Sequence, residues 1–165
     1  MATIIESELQ LQTEMTTKMY NVINSTIQEL LDKLRAEIQA IVYDGNVPEW
    51  YTRTYEILNN WTATPPEIVG NMVTSQIAFT EPLSYSDADL WQHGIEHIDA
   101  EDLLKVIIGE EQWGICANFN VVSARDFWGK FIEDCNNTID EIFMKYCQIY
   151  FGNNISQVVG VSFDN

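Results

Sequence analysis

Residues 15–41 read MTTKMYNVINSTIQELLDKLRAEIQAI, and this stretch decides the fold. Met15, Met19, Val22, Ile23, Ile27, Leu30, Leu34, Ile38 and Ile41 recur at steps of three and four, the spacing of one face of an α-helix. The pattern predicts a helix from about Leu11 to Val42, about 45 Å long at 1.5 Å per residue. Glu14–Lys18 and Glu29–Lys33 stand four apart, an arrangement that supports a helix along its polar face. The apolar stripe is narrow for so long a helix. It suits one lying along a sheet or along a neighbouring subunit better than one buried all round. Asp44-Gly45-Asn46 stops it, and Pro48 follows.

Working outward, an aromatic segment from Pro48 to Trp61 reads as a turn and a short helical or irregular piece, broken by Pro65-Pro66. Residues 67–80 alternate, with Val69, Val73, Ile77 and Phe79 expected on one face of a half-buried strand or hairpin arm. Ala100 to Ile108 fits a short helix capped by Asp99, and Trp113 to Val122 is a further strand candidate. Ser123-Ala124-Arg125-Asp126 has the form of a capping box, with Ser123 as cap and Asp126 at the third helical position. The helix it opens runs to about Tyr150. Phe127, Phe131, Ile132, Cys135, Ile139, Ile142, Phe143, Tyr146 and Ile149 form its broad apolar face, and Gly152-Asn153-Asn154 closes it. The expected architecture is α+β: a long N-terminal helix, a central antiparallel sheet and a long C-terminal helix.

The 165 residues fit a single domain, spanning 1–165, with one hydrophobic core. Twenty-five acids against eight bases give a formal charge of -17. Specific nucleic-acid binding needs a cationic footprint, so DNA is not expected as a direct ligand, nor is an anionic membrane surface. Acidity is concentrated in an insertion at about 81–111, which holds nine acids against Lys105 alone, a net charge of -8. Met1 to Gln10 is polar and carries Glu6 and Glu8, unlike a signal peptide, and no apolar run is long enough for a bilayer. Cys116, Cys135 and Cys147 are odd in number and lack CxxC spacing, which predicts reduced thiols and an intracellular origin.

The one catalytic-looking string is His93-Gly94-Ile95-Glu96-His97, an H-x-x-E-H pattern in which two His on one helical face could bind zinc. Gly94 interrupts the helix that this geometry requires, and no further carboxylate ligand is singled out, so no metal or cofactor is expected. GxSxG, Walker A and GxGxxG strings do not occur. The reading is of a protein without enzymatic activity. A strongly acidic small chain could also imitate the phosphate array of DNA and inhibit a DNA-binding protein, and a small zinc hydrolase is the remaining alternative.

The basic residues are few, and Arg53 and Arg125 lie in aromatic-rich segments, Tyr51-Thr52-Arg53-Thr54-Tyr55 and Ala124-Arg125-Asp126-Phe127-Trp128. With Trp91-Gln92-His93-Gly94 between them, and a long helix before them, these segments occur in an order that resembles the neck or tail-completion proteins of tailed bacteriophages. Those head–tail joining proteins have a Y-x-R-T-G-x-L-like segment, an aromatic-x-x-G turn in mid-chain and an A-R-P-F-like start to the last helix. The resemblance spans roughly residues 12 to 150. Tyr55 stands where the family often has Gly, and Asp126 where it often has Pro. The resemblance implies a virion protein, assembled in the bacterial cytoplasm, that forms a homo-oligomeric ring between the portal or connector and the tail proteins. DNA would pass through such a ring without being specifically bound. It further implies interface residues rather than catalytic ones: Arg53, Thr54, Trp91, Arg125, Phe127 and Trp128.

Overall fold

The computed structural model describes residues 8–44, 55–70, 72–80 and 126–152. The helix expected from the apolar stripe is present as α1, Glu8–Ile38. It continues into a π-helical turn, Gln39–Tyr43, closed by the Asp44 amide donating to the Gln39 carbonyl at 2.9 Å. A short helix α2 (Glu56–Asn59) precedes four short strands: β1 (Trp61–Ala63), β2 (Glu67–Val69), β3 (Met72–Thr74) and β4 (Ile77–Phe79). The C-terminal helix α3 spans Phe127–Phe151. The architecture is α+β, with a long helix, antiparallel strands and a second long helix in the expected order.

The strands form two ladders of two rather than one sheet: β1 pairs with β4, and β2 pairs with β3. The alternating run 67–80 is therefore not one arm. Gly70 takes a left-handed φ of +64°, and Glu67↔Thr74, Ile68↔Val73 and Val69↔Met72 close a hairpin around it. Glycine adopts that backbone without a Cβ clash, which is why the chain reverses there. The reversal overturns the expected facing: Val73 pairs with Ile68 and not with Val69, so Val69 and Val73 point to opposite faces.

The described residues gather into two compact units. The first comprises α1 up to Leu31, Ala63–Ala78 and α3 from Cys135. Val22, Leu30 and Leu31 of α1 and Cys135, Ile139, Ile142 and Cys147 of α3 are its buried apolar residues. Polar contacts between the same helices frame them. Lys145 Nζ and the Tyr146 hydroxyl both donate to Glu29 Oε2, at 2.6 and 2.8 Å, and Ser25 and Tyr150 share a hydrogen bond at 3.0 Å. Glu29, expected to support its own helix through Lys33, thus also ties α1 to α3. The Thr26 hydroxyl is buried here without a hydrogen-bond partner, an arrangement that costs about 1–3 kcal/mol.

The second unit comprises Asp32–Thr62 with Phe79, Thr80 and the start of α3 up to Asp134. Leu34, Ile38, Val42, Tyr43, Trp61, Phe127 and Phe131 are buried in it. Asp126 does not sit at the third helical position. Its Oδ1 accepts from the Gly129 amide at 2.6 Å, so Asp126 is itself the cap, three residues before the bonded amide. Ser123, expected in that role, lies outside the described residues, as do the acidic stretch 81–111 and the candidate elements 100–108 and 113–122. At its other end α3 stops as expected on Gly152, with φ +86° and its amide on the Gln148 carbonyl at 3.0 Å.

Candidate functional site

Of the six residues expected at an interface, Phe127 and Trp128 are described; Arg53, Thr54, Trp91 and Arg125 lie outside the described residues. Capping by Asp126 fixes where α3 begins, and this sends Phe127 inward at 1% exposure while Trp128 stays half-buried. Both meet Trp61, the first residue of β1. The Trp61 and Trp128 rings stack at 5.5 Å and 14°, and Phe127 and Phe79 approach Trp61 edge-on, at 6.4 and 5.1 Å. Phe131, one turn further along α3, meets the Trp128 ring at 5.5 Å. Offset stacks and edge contacts of this kind add about 0.5–1.5 kcal/mol per pair beyond the area they bury.

Arg35 secures the same cluster from α1, its Nη2 donating to the Trp61 carbonyl at 2.9 Å. Arg35 Nε and Trp61 Nε1 are both buried without an acceptor among the described residues. The guanidinium holds the strand end in place while two donors go unmet, so rigid placement of Trp61 comes at an energetic cost. Next to Trp61, Thr80 donates through both its amide and its hydroxyl to the Asn60 carbonyl, at 2.7 Å each.

At the start of α2 stands Tyr55, whose backbone is left-handed at φ 58° and ψ 21° and whose ring stacks on Tyr43 at 4.7 Å. A non-glycine residue in this region carries about 1–2 kcal/mol of steric cost. The structure also brings together a carboxyl pair that no sequence spacing singles out. Burial, and then the hydrogen bond and charge of Asp134, raise the Glu37 carboxyl above its ordinary range. The ammonium of Lys130, 2.9 Å from Asp134 Oδ1, lowers the Asp134 carboxyl. Lys130 thus favours the charged form of Asp134, while burial and Asp134 favour the neutral form of Glu37.

Sequence reasoning missed a surface in the first unit. Met15, on the apolar stripe of α1, is 53% exposed, and Ile149, on the apolar face of α3, is 61% exposed. Leu11, Met15, Ile68 and Met72, together with the polar Gln12 and Thr16, line an open groove of ≈ 430 Å³. The Gly70-Asn71 pair between two β-branched runs was the available signal, because it makes a hairpin of what periodicity alone reads as one strand.

Among the described residues, no group of three or more His, Cys, Asp or Glu could hold a metal ion, and no helix is long and apolar enough to cross a membrane. The His93–His97 string lies outside the described residues. The chain matches no family model, no curated protein and no solved structure.

Proposed function

We propose that this chain is a structural virion protein of a tailed bacteriophage. It forms a homo-oligomeric ring at the head–tail junction and carries out no catalysis. One face of the ring meets the portal or connector and the other the tail proteins, and DNA passes through without being specifically bound. The observation that carries the reading is Tyr55. The family resembled in sequence often has glycine at that position, and the backbone there is left-handed, the conformation glycine takes most readily. A left-handed backbone at Tyr55 is the conformation that a glycine at that position would supply. Asp126 supports the same reading. It stands where the family often has proline, at the entry of the last helix, where proline and a capping carboxylate are both suited to starting a helix.

Negative-stain electron microscopy with light scattering on the purified full-length chain tests the proposal. Closed rings of uniform subunit number are expected. A chain that remains a lone copy at every concentration, and that gives no ring when mixed with portal or tail-tube protein, would reject it.

A further inference from the structure

The first unit leaves several large apolar side chains uncovered. Leu9, Leu11 and Met15 in the first turns of α1, and Ile68, Val69 and Met72 on the β2–β3 hairpin, are between 43% and 72% exposed. Ile68 and Val69 point to opposite faces of the hairpin, and each is more than half open. An element buried on neither face gains little from its own unit, and a two-stranded ladder alone is marginal in water. Exposed apolar side chains gathered around one groove, here Leu11, Met15, Ile68 and Met72, mark an interaction site, whereas single ones are ordinary.

Charge indicates the occupant. In a chain of net charge -17, residues 67–74 carry a single charged group, Glu67. Residues 9–17 carry only Glu14, whose carboxylate is neutralised by Lys18 at 2.8 Å. Two copies of an acidic chain repel wherever their carboxylates face each other, and this near-neutral patch is where they can meet at least cost. Among the described residues β2 and β3 pair only with each other.

From this we infer that the groove between the start of α1 and the β2–β3 hairpin is a docking surface for a second copy of this chain. The inference rests on the ring reading and supplies one of its subunit contacts.

Sedimentation velocity on the full-length chain over a concentration series tests it. Ile68→Glu/Met72→Glu places charge on two side chains that are already more than half exposed, so the helical circular dichroism should be unchanged. Wild type is expected to self-associate, and the double variant to need about 100-fold higher concentration, tenfold for each of the two side chains made charged. Ile149→Glu, equally exposed but outside the groove, should associate like wild type. If the hairpin variant loses ellipticity, Leu11→Gln/Met15→Gln tests the groove from the helix side. A wild type that assembles while both groove variants assemble as tightly overturns the inference and leaves the ring standing. So does an Ile149→Glu variant that dissociates as far as they do. A wild type that is monomeric throughout removes the inference and the ring together.

Discussion

At the scale of single residues, Tyr55 and Glu37 each carry a cost that their surroundings hold in place. Tyr55→Gly and Tyr55→Ala both remove the stack on Tyr43, so their difference isolates the backbone. Glycine should be the more stable of the two by about 1 kcal/mol in chemical denaturation, because only it relaxes at φ 58°. Equal midpoints would remove the strain argument. Glu37 is governed by proton linkage. Its carboxyl holds a proton more tightly in the folded chain than in the unfolded one, chiefly through burial and then through Asp134. Ionising it therefore opposes folding above its folded pKa, and the penalty disappears below the ordinary glutamate value of 4.5. Glu37→Gln should stabilise the protein at pH 7 by about 0.5 kcal/mol, a small value because the site is open to water. The advantage should be absent at pH 3.5. A variant that stabilises equally at both pH values, or destabilises at pH 7, would show that the side chain acts otherwise. Neither property was legible in the sequence, since Tyr55 is one aromatic among several there and Glu37 meets Asp134 only through the tertiary fold.

At the scale of elements, α3 offers the clearest test. Asp126 caps it through the Gly129 amide, and a Cβ at position 129 would run into the Asp126 carboxylate. Asp126→Ala should cost about 1 kcal/mol. Gly129→Ala alone should be close to neutral, because the helix propensity gained is offset by the displaced cap. In the Asp126→Ala background the same change should stabilise by about 1 kcal/mol. Additive effects in this double-mutant cycle would break the link between the two residues. Both long helices were readable from their three- and four-residue spacing, because such long periodic runs leave few alternatives. The start of α3 was readable to within a few residues, and only the geometry separates Asp126 as cap from Asp126 inside the helix. The strands were less legible. Periodicity over 67–80 reports alternation but not reversal, and the reversal depends on one left-handed glycine. The Trp61 cluster escaped for another reason: it joins β1, β4 and α3, and no sequence spacing reports contacts between distant segments.

At the scale of the whole molecule, the dominant quantity is charge. Nearly half of the net -17 belongs to residues 81–111, and the proposed ring would bring copies of that stretch together. If the stretch faces the lumen, isolated rings should become more stable as salt is raised from 0.1 M towards 1 M, where the screening length falls from about 10 Å to about 3 Å. Analytical ultracentrifugation at the two ionic strengths reads this directly. Rings that instead fall apart in salt would place these acids against a basic partner surface. The sign of the charge and its clustering were legible from composition alone. Which positions of an apolar pattern are covered was not, as Met15 and Ile149 illustrate: both continue such a pattern, and both are more than half exposed.

Cys135 and Cys147 lie twelve residues apart on α3, at 0% and 3% exposure, and burial pushes the Cys147 thiol up. A thiol reagent attacks only thiolate that it can reach, so neither sulfur can be consumed until its stretch of helix opens. The chain thus carries two native timekeepers of its own breathing. The lag before each is alkylated measures how often that part of α3 comes apart, with no introduced label. A neighbouring subunit or tail protein that clamps the helix would announce itself by slowing both.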